Sequence, residues 1–391
     1  MKESEWIIGG IKTNELGILS NNFSFNSIKI ENPIHGAILN RRHGVEIAAG
    51  LRVKVEGRAP FGKNVIVNGL PAMRDGEKFS VEIIIYDKKN EIIAVTDTSI
   101  GQLQHKIQVL WDQYSFPRYG FEIDDNIFFL RDIANKKYKS IFECFYLKKL
   151  RNLHKKYATK ILLNLFYTDG SLYSNKPEFT LEQFPEHYKK EWEDNADWLK
   201  LTFHAYSEFP DRPYQNALVK NILNDIDLIA EQIKRFAGEK SYTAPTIVHW
   251  GMTNHEAFKP LYDNGVRILR GDFTKNEQGF WDINYNLDNK RSKYLSRNNF
   301  LKDFDSGIIF GKTNIVLNNT PIDQIVPILE TLKNDPNQAE IMDVITHEQY
   351  FWPFYANYLP DHFDLLDTFL CWVSENGYKP VFWNEDPLLV E

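Results

Sequence analysis

The feature that most constrains the fold is the alternation of strand-like and helix-like patterns from Tyr119 to the end of the chain. Short apolar runs rich in β-branched residues alternate with amphipathic stretches such as residues 216–237 and 322–334. This alternation indicates parallel strands joined by crossover helices. The predicted strands are residues 120–123, 160–166, 199–204, 246–249, 266–269, 308–317, 341–346 and 380–383. We therefore expect an α/β fold, a complete or incomplete (β/α) barrel with its active face at the C-terminal ends of the strands.

The preceding part of the chain has a different pattern. From about residue 27 to residue 107, short strand-like runs are separated by turn signals, among them Asn68-Gly69 and Asp75-Gly76. The spacing is typical of a β-sandwich, and the run resembles the immunoglobulin-like modules attached to bacterial carbohydrate enzymes. A chain of 391 residues is also long for one domain. We predict a smaller all-β sandwich over residues 1–112, as a substrate-presenting module or a spacer, and the barrel over residues 113–391.

Two adjacent carboxylates, Asp124 and Asp125, stand where the first predicted strand of the barrel ends and a helical pattern begins. Neighbouring strand residues point to opposite faces, so both acids cannot be buried against one core. At the C-terminal end of a strand, however, both can reach an open site. The alternative interpretation is that one of them caps the following helix, a position that Asp favours.

Two further strand ends carry ionisable side chains. His204 and Glu208 follow the third predicted strand, and their spacing would place both on one face of a helical turn, where two side chains can hold one ion. His347 ends a later apolar run. A lone His of this kind is more often a hydrogen-bonded structural residue, but three such strand ends together favour a functional site.

With these motifs the chain resembles the polysaccharide deacetylases of the NodB-homology class, also called carbohydrate esterase family four. The pair Asp124-Asp125 matches the first motif of that family, and His204-x-x-x-Glu208 follows its His-x-x-x-His motif with Glu in place of the second His. A segment that begins at His249 replaces the family's Arg-x-Pro-Tyr motif. A later Leu-x-His motif corresponds to the segment that ends at His347. The resemblance covers roughly residues 115–385 and rests on order and local pattern.

The resemblance implies a metal-dependent hydrolase that removes an acyl group from an N-acetylated or otherwise acylated carbohydrate. Asp125, His204 and Glu208 would hold the divalent ion. Zn²⁺ is the first choice, and Mn²⁺, Co²⁺ and Ni²⁺ are alternatives because two carboxylates and one imidazole form a harder ligand set. Asp124 would be the general base and His347 the general acid. Residues expected to contact substrate or to orient these side chains are His249, Trp250, Arg270 and Asp272.

Two other functions stay open. Asp124 or Asp125 together with Glu208 could form the carboxyl pair of a glycosidase, which would work in the presence of a chelator. Alternatively, the departures from the family pattern at Glu208 and His249 could leave a carbohydrate-binding protein without catalysis.

Composition narrows the choice of partners and compartment. The net charge of -7 argues against a nucleic acid as the main partner. No run approaches the ~20 apolar residues of a membrane helix, and the acidic N-terminus lacks the basic region of a signal peptide. We therefore expect a cytoplasmic protein with a carbohydrate partner and no membrane association. The two cysteines imply no disulfide framework.

Overall fold

The computed structural model describes residues 27–99, 101–170 and 178–388. The chain divides into two compact units, Met1–Gln113 and Tyr114–Glu391. The first 26 residues of the expected sandwich domain lie outside the described residues.

In the described part of the first unit, all regular elements are β-strands. In chain order they are β1 Lys29–Asn32, β2 Ile38–Leu39, β3 Gly44–Ile47, β4 Gly50–Arg58, β5 Ile66–Val67, β6 Leu70–Pro71, β7 Met73–Asp75, β8 Lys78–Ile85, β9 Lys89–Thr98 and β10 Gly101–Trp111. They form two five-stranded sheets, β1-β4-β8-β7 with β3 beside β4, and β2-β10-β9-β5-β6. Alternate residues of β4, such as Val53 and Val55, are buried, which is the period expected of a strand with one face on a core. Asn68 and Gly69 both have positive φ, 46° and 83°, and form the two-residue turn between β5 and β6.

The second unit contains strands and helices. Its strands are β11 Arg118–Asn126, β12 Ile161–Phe166, β13 Leu199–Ala205, β14 Ile268–Gly271, β15 Thr274–Lys275, β16 Trp281–Asp282, β17 Phe300–Lys302, β18 Ile309–Lys312, β19 Ile315–Val316, β20 Ile341–His347 and β21 Lys379–Pro380. Its α-helices are α1 Phe128–Lys136, α2 Phe145–Tyr157, α3 Lys189–Glu193, α4 Val219–Ala237, α5 Phe258–Asp263, α6 Asn289–Leu295, α7 Ile322–Lys333 and α8 His362–Glu375.

The larger sheet of this unit has the order β13-β12-β11-β20-β19, with β21 also paired to β11, and its pairings are parallel. All nine residues of β11 are buried, as expected for a central parallel strand covered on both faces. A second sheet has the order β14-β18-β17, and β15 and β16 form a separate hairpin. Helix α4 packs on β13 through apolar side chains spaced three or four residues apart, among them Ile222, Ile226, Ile229 and Ile233.

The mixed α/β class is confirmed, but the predicted barrel is not. Among the described residues the ladders of the two sheets do not close, and no strand forms at residues 246–249. Instead of a strand ladder, two backbone hydrogen bonds connect this segment to its neighbours. Thr243 N–H donates to Leu201 O (3.1 Å), and Arg270 N–H donates to Thr246 O (2.9 Å). The chain leaves the extended conformation in a 3-10 turn, His249–Gly251, where Trp250 has a φ of 63°. The predicted strand 308–317 divides into β18 and β19, and the strand 380–383 shortens to β21.

Candidate metal centre

Both acids at the end of β11 face one cavity because the strand is irregular there. The register of β11 with β12 shifts between Ile123 and Asn126, and Asp125 has a φ of 62°, in the left-handed region that non-glycine residues seldom adopt. A bulge of this kind redirects side chains and is common beside functional sites. Asp124 and Asp125 are therefore both buried and both line the cavity.

A second bulge places His204. In the ladder between β12 and β13, Leu165 pairs with Phe203 and Phe166 pairs with Ala205, so His204 falls in the register shift between them. Its side chain is buried and lines the same cavity. The first two strand ends predicted from the sequence thus meet at the cavity, and each contains a register shift there.

His249 reaches the cavity from the 3-10 turn that replaces the predicted fourth strand. Its Nε2 lies 3.2 Å from the backbone oxygen of Glu208, a carbonyl that can only accept, so Nε2 carries the proton. The other ring nitrogen, Nδ1, is then an unprotonated acceptor, and it lies 3.0 Å from Nε2 of His204. Burial lowers the pKa of His249 to about 4, which keeps the ring neutral as metal coordination requires.

Three ligand atoms consequently converge: Oδ1 of Asp125, Nε2 of His204 and Nδ1 of His249. The distance from Oδ1 to Nε2 is 3.0 Å and that from Oδ1 to Nδ1 is 3.5 Å. Ligand atoms bound tetrahedrally to zinc at ~2.0–2.1 Å are separated by about 3.3 Å, so the three atoms are spaced for one ion.

The ionisation state of Asp125 favours a bound cation. Burial alone would raise the pKa of Asp125, but the imidazole of His204, followed by that of His347, holds it well below its usual range. Oδ1 is buried and has no hydrogen-bond partner among the described residues. A buried, ionised oxygen without a donor is costly, and a metal ion would compensate it.

Glu208 lies in the same cavity but is not one of the three converging ligands. The predicted helical turn from His204 to Glu208 does not form, because β13 continues to Ala205 and an irregular segment follows. Its carboxyl group accepts a hydrogen bond from Nε2 of Gln349 at 3.2 Å. Burial, followed by the nearby charge of Asp125, raises the pKa of Glu208 to about 8.

Asp124 and His347 lie opposite each other in the β11–β20 ladder and both line the cavity. Nδ2 of Asn164 donates to Oδ1 of Asp124 at 2.5 Å. Nδ1 of His347 lies 2.8 Å from Oδ1 of Asn318. Because this amide oxygen can only accept, Nδ1 carries a proton, and Nε2 is left for other partners. Neither residue of the Asp pair caps the following helix.

The cap of helix α1 comes instead from Glu348, directly after β20. Its carboxylate accepts from the backbone N–H groups of Ile127 (2.6 Å), Phe128 (2.9 Å) and Phe129 (2.6 Å). Burial raises the pKa of Glu348 to about 7, and these donors oppose that rise. Its neighbour Gln349 lines the cavity and donates to Oδ2 of Asp125 at 2.9 Å. Sequence reasoning missed both residues, although they directly follow the predicted strand end at His347.

The remaining predicted residues separate into two groups. Trp250 and Asp272 line the cavity, and burial, opposed by His347, raises the pKa of Asp272 to about 6. Arg270 does not line it. Its guanidinium is fully buried and forms ion pairs with Glu122 (2.6 Å) and Asp343.

The cavity has a volume of about 280 Å³. Aromatic rings of Trp250, Tyr350 and Tyr355 form part of its wall beside the polar groups. In the described part of the chain, no helix is long and apolar enough to cross a membrane.

No protein-family model matches the chain, and no curated protein matches it. Solved structures show weak similarity. The fibronectin(III)-like modules of CbhA from Clostridium thermocellum are 14% identical over 26% of this chain, with a TM-score of 0.17, and the chain covers 57% of their length, less than two thirds. A candidate alpha-galactosidase from Bacteroides fragilis is 10% identical over 90% of this chain and 80% of its own, with a TM-score of 0.27. A sialyltransferase from Photobacterium damsela is 10% identical over 89% of this chain and 60% of its own, with a TM-score of 0.15. TM-scores this low carry no argument about fold or function.

Proposed function

We propose that the second unit is a metal-dependent hydrolase of the polysaccharide deacetylase type, which removes an acyl group from a carbohydrate. The observation that carries the proposal is the convergence of Asp125, His204 and His249 on one point of a cavity that also contains Asp124 and His347. Two imidazoles and one carboxylate suit Zn²⁺, and Mn²⁺, Co²⁺ and Ni²⁺ are alternatives.

Each residue has a distinct part in this proposal. A divalent ion held by the three ligands would supply Lewis-acid polarisation of the acyl carbonyl and activation of water. Asp124, oriented by Asn164, accepts the proton of the attacking water. His347 would act in its doubly protonated form: oriented by the Nδ1 hydrogen bond to Asn318, it gives the proton on Nε2 to the leaving nitrogen or oxygen and keeps the one on Nδ1.

The aromatic wall supports a sugar as the substrate. Rings that lie beside hydrogen-bonding groups can contact the apolar face of a sugar while its hydroxyl groups bind polar side chains. Trp250 and Tyr350 are in such positions. The first unit, as an immunoglobulin-like module, would present the substrate or act as a spacer.

The test is acetate release from acetylated sugar oligomers by the full chain loaded with Zn²⁺, Mn²⁺, Co²⁺ or Ni²⁺ in turn. Activity that depends on the ion and disappears with a chelator is expected. Binding of the oligomers without release under any of these ions would contradict the proposal.

One observation favours a second candidate, a glycosidase. Asp125 and Glu208 share the donor of Gln349, and their environments hold one carboxyl ionised and the other protonated at neutral pH. This enzyme would release reducing sugar in the presence of a chelator. An assay that measures both acetate and reducing ends therefore distinguishes the two candidates.

A further inference from the structure

The backbone that presents Asp125 to the cavity has an unusual conformation. Asp125 has a φ of 62°, and the register of β11 with β12 shifts between Ile123 and Asn126. A non-glycine residue keeps such a conformation only when the structure on both sides of it is fixed. On the N-terminal side, the ladder with β20 extends to the pair Asp124 and His347. On the C-terminal side, the chain enters helix α1.

The cap of helix α1 comes from outside the helix. Ile127, at the N-cap position, has no polar side chain, and the first turn contains no acidic residue. The carboxylate of Glu348 accepts from the N–H groups there, through Oε2 from Ile127 and Phe128 and through Oε1 from Phe129. Nε1 of Trp352 donates to Oε1 at 2.9 Å, so each oxygen of Glu348 accepts two hydrogen bonds.

These bonds lie very close to the candidate metal centre. Only Asn126 separates Asp125 from the bonded N–H of Ile127. The side chain of Asn126 donates to the backbone oxygens of Ile123 (2.5 Å) and Asn164 (3.2 Å), and Glu348 completes the attachment of this segment. Glu348 is fully buried, so its four bonds are shielded from competition with water.

We propose that Glu348 is a positioning residue of the candidate metal centre. By fixing the start of helix α1, it holds the backbone of Asp125 so that Oδ1 faces the ring nitrogens of His204 and His249. The inference rests on the proposed function, because it assumes that a metal ion binds these three atoms. Glu348 itself contacts neither ion nor substrate in this role. Substitution of outer residues that orient ligands changes metal affinity by about 10–100-fold.

The experiment measures the Zn²⁺ affinity of the full chain by competition with a chromophoric chelator. Glu348→Gln keeps the size of the side chain but replaces one acceptor oxygen by an NH₂ group that opposes the N–H donors. Glu191→Gln is the matched control. The Glu191 carboxyl accepts from the backbone N–H of Ile141 (2.9 Å) and the hydroxyl of Ser140 (2.5 Å), and among the described residues it is not one that lines the cavity.

Stability is measured separately, by urea denaturation of each metal-free variant. While a metal-free variant remains folded, a general loss of stability leaves its Zn²⁺ affinity unchanged, so the affinity reports the geometry of the site. If Glu348→Gln does not fold, Glu348→Asp gives the same test. It keeps the charge, but its shorter side chain cannot reach all three N–H groups.

We expect Glu348→Gln to lower the Zn²⁺ affinity by about 10–100-fold and Glu191→Gln to leave it unchanged. Unchanged affinity in a folded Glu348 variant, an equal loss in Glu191→Gln, or no Zn²⁺ binding by the unsubstituted protein would each overturn the inference. Acetate release is measured in parallel. The expected loss of affinity without acetate release by the unsubstituted protein would leave the inference standing and contradict the hydrolase, while release with unchanged affinity in Glu348→Gln would do the reverse.

Discussion

Two clusters of buried ionisable side chains in the second unit share strand β11, and they differ in how their charges are compensated. In the ion-pair cluster (Glu122, Arg270, Asp343), the guanidinium lies between two carboxylates, and Nε1 of Trp383 donates to Asp343 at 2.8 Å. In the candidate metal centre (Asp125, His204, His249), one carboxylate faces two imidazole rings, and the three residues include no arginine or lysine.

Burial is nearly the same in both clusters, so burial alone does not identify a functional site. The ion-pair cluster is internally balanced, and its members stabilise one another. The candidate metal centre has no permanently charged cation among its three residues, and its carboxylate and imidazole groups are all possible metal ligands, which is the arrangement expected of a binding site. The two clusters should therefore respond differently to substitution.

The largest expected effect is on metal uptake. The unsubstituted protein should bind about one divalent ion per chain, and His204→Ala or His249→Ala should abolish binding, because two ligands rarely retain Zn²⁺. Glu208→Gln should keep it. Metal analysis after dialysis measures this, with the exposed His187→Ala as control. Loss of the ion in Glu208→Gln but not in His249→Ala would restore the ligand set predicted from the sequence.

Substitution in the ion-pair cluster should act on folding. Arg270→Met leaves two carboxylates buried without their cation, and we expect the free energy of unfolding to fall by about 3–5 kcal/mol. Urea denaturation of the metal-free protein measures the change. His249→Ala, measured in the same way, should lose much less. If the two variants were equally destabilised, the contrast between the clusters would be wrong.

The next effect concerns turnover. Asp124→Asn should retain the metal and lower kcat by roughly 100-fold, since a carboxamide cannot accept the proton. His347→Ala should do likewise. The exposed Asp364→Asn is the control in the same assay. Full activity in Asp124→Asn would remove its role as general base.

The smallest effect is a pH dependence of stability. The pKa of Glu208 is about 8 in the folded protein against 4.5 for an ordinary glutamic acid, so the folded state holds its proton more tightly. Raising the pH from about 4.5 to 8 should therefore destabilise the metal-free protein through this group. Glu208→Gln lacks that contribution, and its stability relative to the unsubstituted protein should rise across this range. A constant difference between pH 5 and pH 9 in urea denaturation would contradict the assigned environment.

The sequence alone predicted the mixed α/β class and the strand ends whose side chains line the cavity. Asp124, Asp125, His204 and His347 were each selected as polar residues that follow an apolar run, and all four line one cavity. These residues could be predicted because apolar periodicity is a local property of the sequence. The C-terminal ends of parallel strands then meet at one edge of the sheet.

Only the tertiary structure decided which residue is the third candidate ligand, that the sheets stay open, and where Arg270 lies. Spacing along the chain favoured Glu208, but the bulge at His204 and the left-handed Trp250 place His249 beside Asp125 and His204 in the candidate metal centre instead. Glu348 and Gln349 acquire their roles only through contacts with residues more than 200 positions earlier in the chain. Register shifts, backbone conformations and long-range hydrogen bonds of this kind depend on how the elements pack, and residue spacing along the chain does not encode them.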